Sequence, residues 1–229
     1  MALIALLVLA GTFGAARVAG EGEVPAPEAT VPEPPAVPER PPAVPERPPK
    51  DEGIAWRSSR ALGLPWAGRL VRGVQLPAEG ARFFTWDPVL RQSPNRAWRR
   101  WGTDRLVRTV LRVLREHARA HPGAPRVGIG DLSRPRGGDF GPRYGLPGHA
   151  SHQNGLDVDL YYPRRDRLER APRGASNIDR NLSQDLVDRF VRAGAHRVFV
   201  GPNTGLGGPH RVVQRLPHHD NHVHVRIRR

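Results

Sequence analysis

The sequence predicts an α+β fold with a mostly antiparallel central sheet. Apolar residues recur every three or four positions over residues 103–120 and again over 183–194, which indicates two amphipathic helices. Short strand-like segments lie between and after these helices, without a regular β-α-β repeat. Glycine and proline interrupt residues 56–101 repeatedly, so loops and short strands are expected there. We therefore predict one folded domain over residues 53–229.

The first helix is expected to begin after Thr103, whose hydroxyl can cap the unpaired backbone N–H groups of the first turn. Pro122 and Gly123 follow the last turn and are expected to end the helix. Ser183 is predicted to cap the second helix. The apolar residues expected to pack inward are Leu106, Val107, Val110, Leu111, Leu114 and Ala118 in the first helix, and Leu186, Val187, Phe190 and Val191 in the second.

Four other segments have strand character, because apolar and β-branched residues are concentrated in them. These segments are 127–132, 156–162, 198–200 and 222–227. A glycine-rich loop is expected over residues 135–148. All five tryptophans lie between the start of the domain and the first helix, where packing beneath long loops is the interpretation that we favour over a sugar-binding groove.

Residues 1–20 have the pattern of a signal peptide. An apolar run over residues 2–12 is followed by small residues that end in Val18-Ala19-Gly20. The run is too short for a comfortable membrane span, although an uncleaved N-terminal anchor is the alternative. We expect export to the periplasm or to the cell exterior, with membrane contact only through this segment if it stays uncleaved.

Residues 21–52 are rich in proline, and the heptapeptide PPAVPER occurs at 34–40 and again at 41–47. Proline fixes its own φ angle and lacks a backbone N–H, so this segment cannot pair into a sheet or continue a helix. We expect a disordered, extended spacer between the leader and the folded domain. The spacer either holds the domain away from a surface or has no role.

The composition limits the chemistry and the partners. The chain has no cysteine, which excludes disulfides, thiolate metal sites and a cysteine nucleophile. Its net charge of +14 favours polyanions, which are nucleic acids inside a cell and wall polymers outside it. Because the leader predicts export and no interleaved basic and aromatic motif is present, we favour the wall and expect no nucleic acid.

Two clusters of histidine and aspartate carry the chemical signal. The first runs from residue 148 to 159, and the second from 218 to 224. His222 and His224 are two apart in a strand, so both imidazoles should face one side of the sheet. Asp157 and Asp159 share a face in the same way, and His152 should reach them from a loop-to-strand corner. A catalytic zinc ion takes three such ligands, but spacing alone does not choose them.

Histidines outside these clusters are expected to be ordinary residues. His117, His121 and His196 lie in or beside the predicted helices, away from both clusters. His210 stands alone between them.

Three stretches carry a resemblance to a known family. GDLSRPRGG at 130–138, GHASHQNGLDVDL at 148–160 and HHDNHVHVRI at 218–227 resemble the penicillin-insensitive murein endopeptidases. These belong to the wider group of lysostaphin-type, D-Ala-D-Ala carboxypeptidase and hedgehog-like zinc peptidases. The resemblance covers roughly residues 56–229 and implies a hedgehog/DD-peptidase-like fold, with the sheet flanked by helices.

The resemblance also implies the cofactor and its ligands, which would be a Zn²⁺ ion held by His152, Asp159 and His224. It implies hydrolysis of peptide crosslinks in bacterial peptidoglycan by metal-activated water, with the peptide stems as partner. Two alternatives stay open: a D,D-carboxypeptidase of the same group, and an inactive, zinc-stabilised module that binds the cell wall.

For the catalytic residues, the resemblance implies that His222 lies beside the metal-bound water as a base or transition-state donor. It puts His219 and His149 near the metal, where either helps to polarise water or to hold the leaving group. It puts Asp131 and Ser133 at the border of the cleft, without an assigned role. The basic segments 134–136 and 164–167 can hold stem carboxylates, although we favour solvated surface charge for most of them.

Overall fold

The computed structural model describes residues 53–145 and 148–229 of the chain. The predicted leader (1–20) and spacer (21–52) lie outside the described residues and stay predictions, as does the domain boundary at residue 53. Within the described ranges, no helix is both long and apolar enough to cross a membrane.

Two α-helices and eleven short strands occur in the described ranges. The helices are α1 (Asp104–Ala120) and α2 (Arg180–Arg192). The strands are β1 (Arg60–Leu64), β2 (Ala67–Val71), β3 (Val74–Gln75), β4 (Glu79–Gly80), β5 (Phe83–Thr85), β6 (Trp101–Gly102), β7 (Val127–Ile129), β8 (Asp157–Tyr161), β9 (Arg197–Val200), β10 (Val213–Arg215) and β11 (His222–Arg226). Single 3-10 turns lie at Ala97–Arg99, Pro142–Tyr144 and Ala175–Asn177.

Seven strands form one mixed sheet in the order β10-β9-β11-β8-β7-β5-β4. Neighbours are antiparallel except for the β10–β9 and β5–β7 pairs, which are parallel. The pairs β1–β2 and β3–β6 form two small antiparallel sheets beside it. The α+β prediction is therefore confirmed, and antiparallel pairs predominate in the central sheet.

The central sheet has one apolar face and one polar face. Val158 and Leu160 of β8 belong to the hydrophobic core, together with Val223 of β11 and the apolar residues of both helices. Because side chains alternate across a strand, Asp157 and Asp159 point to the opposite side. The two helices thus cover the apolar face and leave the polar face available for a functional site.

Helix α1 starts where the sequence predicts. The hydroxyl of Thr103 accepts a hydrogen bond from the Leu106 N–H at 3.1 Å, which caps the first turn. The buried stripe is rotated slightly from the predicted one, since Val113 and His117 are buried while Leu111 is only half-buried. His117 is therefore a core residue rather than the ordinary helix residue that was expected.

Helix α2 starts three residues earlier than predicted. The carboxylate of Asp179 caps it by accepting a hydrogen bond from the Leu182 N–H at 3.1 Å. The predicted cap at Ser183 is wrong, because Ser183 lies inside the helix and its hydroxyl donates to the Asp179 carbonyl at 2.5 Å. The polar first turn, Arg180 and Asn181, gives no apolar periodicity that would mark it in the sequence.

Three of the four predicted strands are shorter than expected, whereas β9 begins one residue earlier than predicted. The chain beyond β7 nevertheless continues beside β8. The Gly130 N–H donates to the Asp159 carbonyl at 2.8 Å, and the Asp159 N–H donates to the Asp131 carbonyl at 2.9 Å. The segment from 130 to 133 therefore runs beside the polar residues of β8 and can hold whatever binds there.

The corrected start of α2 can be tested by replacing its cap. Asp179→Ala is expected to lower the free energy of unfolding by about 1 kcal/mol, because the first-turn N–H groups lose their acceptor. Asp179→Asn keeps a capping oxygen and is the matched control. Its free energy of unfolding is expected to fall by only a few tenths of a kcal/mol. Urea denaturation measures both variants, and equal losses would contradict Asp179 as the cap.

Candidate metal centre

Strands β8 and β11 bring the first two residues of the site together. Their antiparallel register sets His224 directly opposite Asp159. Residues in this relation have Cβ atoms about 5 Å apart, which is close enough for their side chains to meet. His224 Nδ1 lies 3.3 Å from Asp159 Oδ1. The sheet itself therefore fixes this contact between two segments that are far apart in sequence.

His152 reaches the same carboxylate from the loop that precedes β8. The chain turns sharply there, with φ angles of 68° at His152 and 76° at Gly155. The first value lies in the left-handed region, which is unfavourable for a residue with a side chain and is often found at functional sites. The turn brings His152 Nε2 to 3.3 Å from Asp159 Oδ1.

His149, His152 and Asp159 form a group whose ligand-type atoms lie within 4.8 Å of one another, and His224 reaches the same carboxylate, so this cluster could hold a cation. Nε2 of His152 and Oδ1 of Asp159 are buried and have no hydrogen-bond partner among the described residues. An unpaired buried polar atom costs about 1–3 kcal/mol, and a cation between these atoms would satisfy both. The two 3.3 Å separations suit ligands of a tetrahedral ion with bonds of about 2.0–2.1 Å. Two imidazoles and one carboxylate are a suitable ligand set for a divalent first-row metal ion.

In each of these two imidazoles, one ring nitrogen is hydrogen-bonded to the protein and the other faces Asp159. His152 donates its Nδ1–H to the Leu132 carbonyl. His224 donates its Nε2–H to Asp157 Oδ1 at 2.9 Å. These bonds fix the tautomer and orientation of each ring, as in most metal-binding histidines.

Asp157 orients the imidazole of His224 through a hydrogen bond. It accepts hydrogen bonds from His224 and from Arg226 Nε, the latter at 2.6 Å, and its side chain has no exposed surface. The sequence indicated that Asp157 and Asp159 share a face. It did not distinguish a ligand from an orienting partner, because that depends on distances across the sheet.

Three more histidines surround the Asp159 carboxylate. His149 Nδ1 lies 3.7 Å from Asp159 Oδ2, and His222 Nε2 lies 3.9 Å from Asp159 Oδ1. The ring of His219 is 4.7 Å from that of His222 between centroids. The structure thus brings together all six residues that the sequence analysis singled out for metal binding or catalysis.

These three rings are anchored in the same way as the first two. His149 Nε2 is 2.7 Å from Asp131 Oδ2, and His222 Nδ1 is 2.7 Å from Asn221 Oδ1. His219 Nδ1 is 2.7 Å from the Pro217 carbonyl. Each acceptor lacks a hydrogen of its own at that atom, so the ring nitrogen donates. The second nitrogen of each ring is then unprotonated in the neutral form.

Burial and charge set the protonation of the site. Burial, helped by the neighbouring imidazoles, lowers the pKa of His222 to about 4 and leaves the ring neutral at pH 7. Burial also disfavours charged His224, but Asp157 and Asp159 outweigh this and raise the pKa of His224 to about 9. The imidazoles in turn overcome burial and hold the pKa of Asp159 well below its usual range. The carboxylates that favour a proton here also favour a metal cation.

A buried ion pair beneath the cleft was missed by the sequence analysis. The Asp131 carboxylate accepts hydrogen bonds from Arg99 Nε at 2.7 Å and Nη2 at 2.5 Å, and from Asn95 Nδ2 at 3.0 Å. Burial opposes the charge on Asp131, but Arg99 and the bound imidazole lower its pKa to about 2. Arg99 is 32 residues from Asp131 in a chain full of arginine, so its sequence position gave no signal.

His149, His219, His222 and His224 line a cleft of about 1030 Å³, whereas His152 is buried behind them. Trp66, Phe199 and Leu216 provide much of its apolar surface. Trp66 occupies the turn between β1 and β2 and is 55% exposed. The expectation that the tryptophans pack beneath loops is therefore wrong for Trp66, which lies in an exposed turn and lines the cleft.

Other predicted residues lie outside the cluster. Ser133 is buried behind the cleft, His210 is exposed away from it, and His218 is exposed at its rim. The basic segments 134–136 and 164–167 do not line the cleft as the structure describes it. Arg134 instead donates to the Asp139 carbonyl at 2.8 Å, and Arg164 pairs with Asp166.

Comparison with known proteins identifies relatives of the chain. The sequence model of the family described as penicillin-insensitive murein endopeptidase matches residues 61–203. A penicillin-insensitive murein endopeptidase of Haemophilus influenzae is 28% identical over 190 residues, which is 70% of this chain and 60% of that protein. One of Escherichia coli O157:H7 is 30% identical over 132 residues, which is 58% of this chain and 42% of that protein.

These matches cover only part of the relatives and only part of the candidate site. The chain spans less than two thirds of the length of either relative. The family match includes His152 and Asp159 but ends before His219, His222 and His224. The place of this second cluster beside the first therefore comes from the geometry of the sheet.

The Arg99–Asp131 pair can be tested by removing one partner. Arg99→Met is expected to lower the free energy of unfolding by about 3–5 kcal/mol, because it leaves a buried carboxylate without its guanidinium. Arg126→Met is the matched control. Its partners Glu79 and Glu169 are exposed, so a loss of about 1 kcal/mol or less is expected. Denaturant titration measures both, and equal losses would contradict the buried pair.

Proposed function

The chain belongs to the penicillin-insensitive murein endopeptidase family, since the match covers more than half of its length, and we propose on this basis that it is a zinc-dependent peptidase of bacterial peptidoglycan. The reaction would be hydrolysis of the peptide crosslinks between stems. The convergence of His152 and His224 on the buried, unpaired oxygen of Asp159 is the observation that carries the proposal.

His152, Asp159 and His224 are the proposed zinc ligands. Their donor atoms are two ring nitrogens and one carboxylate oxygen, a set that zinc binds in catalytic sites with one position left open. When bound, zinc supplies Lewis acidity, which acidifies water and polarises a carbonyl group. The ligands themselves would need no large rearrangement, because hydrogen bonds to Leu132 and Asp157 already orient both rings.

His222 is the proposed base. Its Nδ1 is held by Asn221, so Nε2 faces the site, and its low pKa keeps that nitrogen unprotonated at pH 7. In hydrolysis, His222 would take a proton from the attacking water as its oxygen bonds to the carbonyl carbon. It would return that proton to the nitrogen of the departing amine as the C–N bond breaks.

His149 and His219 are proposed to assist His222 in the hydrolysis. The Nδ1 of His149 faces Asp159, while the ring of His219 lies beside that of His222. Each can hold the attacking water or the leaving amine by a hydrogen bond. The dense ring of imidazoles therefore supports positioning by several residues rather than by His222 alone.

The proposed substrate is a crosslinked peptide stem. The cleft is large enough for a peptide and carries apolar surface at Trp66 and Leu216 beside the histidines. The net charge of +14 would attract the anionic wall from a distance. Action on the wall requires export, so we propose a periplasmic or extracellular location and a hedgehog/DD-peptidase-like fold for the domain.

Mass analysis of purified muropeptides before and after incubation tests the proposal and its two alternatives. A crosslink endopeptidase converts dimers into monomers. A D,D-carboxypeptidase instead removes a terminal D-alanine from monomers, and a binding module leaves every mass unchanged. The proposal expects dimers to disappear, and a chelator to prevent this. Unchanged dimers with fully zinc-loaded protein would overturn it.

Substitutions separate metal binding from proton transfer. His152→Ala and Asp159→Ala are each expected to lose one zinc per chain together with hydrolysis. His222→Ala is expected to keep that zinc and to lose about 10²–10⁴-fold in kcat, because only the proton carrier is removed. Elemental analysis of the purified variants and muropeptide turnover measure both properties.

His210→Ala is the matched control, since this exposed histidine lies outside the cleft. It should keep zinc and turnover at wild-type levels. Retention of full turnover by Asp159→Ala, or loss of the same zinc in His222→Ala, would contradict the assigned roles.

The role of Asp157 gives a further prediction. Asp157→Asn keeps the size of the side chain but weakens its hold on the His224 ring. Zinc affinity is expected to fall about 10–100-fold, as for other partners of metal-binding histidines. Competition with a chromophoric chelator measures the affinity, and a change of less than twofold would contradict an orienting role.

A further inference from the structure

A second group of histidines lies in the helix layer, on the other side of the sheet from the cleft. His117 lies in the last turn of α1, and His121 is the residue that ends the helix. Residues four apart on a helix are neighbours on one face. Asp185 of α2 faces both imidazoles, so three side chains of ligand type meet where the two helices pack.

The distances bring these groups to one atom. His117 Nδ1 lies 2.7 Å and His121 Nε2 lies 3.2 Å from the same oxygen, Oδ2 of Asp185. The two ring centroids are 4.9 Å apart. One ligand-type atom from each residue lies within 4.8 Å of the others, so modest side-chain movement would let all three reach one ion.

Hydrogen bonding within the group leaves two nitrogens unexplained. His117 Nδ1 is satisfied by Asp185, but Nε2 of His117 and Nε2 of His121 are buried and lack a hydrogen-bond partner among the described residues. His117 is only 1% exposed, so water from the bulk solvent does not reach its ring. Buried histidine nitrogens are normally paired, and each unpaired one is unfavourable by about 1–3 kcal/mol.

We propose that His117, His121 and Asp185 form a second binding site, for one divalent transition-metal ion. Two imidazoles and a carboxylate favour zinc, cobalt or nickel over magnesium and calcium, which prefer all-oxygen sites. The side chain of His121 is 33% exposed, so the group lies at the edge of the helix layer and close to solvent.

Arg189 sets the strength of this site. Its Nε lies 2.5 Å from the same Asp185 oxygen, so a guanidinium occupies one side of the carboxylate. The guanidinium compensates the charge of Asp185 when no ion is bound and repels a divalent ion when one arrives. Removal of the Arg189 charge should therefore tighten ion binding, whereas it would only loosen a purely structural hydrogen-bond network.

The ion would have a structural role. It would join the end of α1 to α2, the two helices that cover the apolar face of the sheet. The chain has no cysteine, so no disulfide can make such a link. Binding to the folded state alone would raise stability in proportion to the ion concentration.

The test uses the full chain with Asp159→Ala, which disables the proposed catalytic centre, and zinc as the probe. Equilibrium dialysis is expected to give one zinc per chain in this background and none after the addition of His121→Gln. Adding Arg189→Gln should tighten binding about fivefold, because a nearby positive charge is lost. His210→Gln is the matched control and should leave both stoichiometry and affinity unchanged.

Thermal unfolding gives an independent readout. Zinc should raise the Tm of Asp159→Ala and leave that of the His121→Gln double variant unchanged, with circular dichroism verifying that both are folded. No zinc bound to Asp159→Ala, or equal binding after His121→Gln, would overturn the second site. If wild type binds a single ion that His121→Gln removes and Asp159→Ala keeps, the second site stands and the catalytic centre fails.

Discussion

The antiparallel register of β8 against β11 is the constraint on which the site depends. It sets His224 opposite Asp159, and it simultaneously buries Val223 and Val225 on the other face against Leu160 and its neighbours. A slip of one residue would move the imidazoles into the core and the valines into the cleft. The hydrophobic effect that holds the sheet against the helices therefore also fixes the relative positions of Asp159 and His224.

A second layer of hydrogen bonds makes this geometry specific. Backbone carbonyls, carboxylates and an amide oxygen each take one nitrogen of an imidazole and leave the other facing the cleft. The segment after β7 supplies two of these acceptors, the Leu132 carbonyl and the Asp131 carboxylate. Because the same segment is bonded to β8 through the backbone of Asp159, the acceptors are tied directly to the residue at the centre of the site.

The histidines on the two sides of the sheet differ in their surroundings. On the polar face, the rings border an open cleft that a substrate can enter. On the helix side, His117 is buried and His121 is partly exposed where the two helices pack, beside a carboxylate that Arg189 already neutralises. An ion on the polar face would thus take part in catalysis, whereas an ion between the helices would stabilise the packing of α1 against α2.

The sequence by itself determined the α+β class, the start of α1 and the two clusters that meet in the cleft, because these depend on local periodicity and on residue types. Only the tertiary structure decided that Asp157 orients while Asp159 faces the imidazoles, and that Arg99 pairs with Asp131. It also decided that Asp179 caps α2 and that Trp66 is exposed. The reason is physical: a pairing between distant segments depends on strand register and burial, and neither is written in the spacing of residues along one chain.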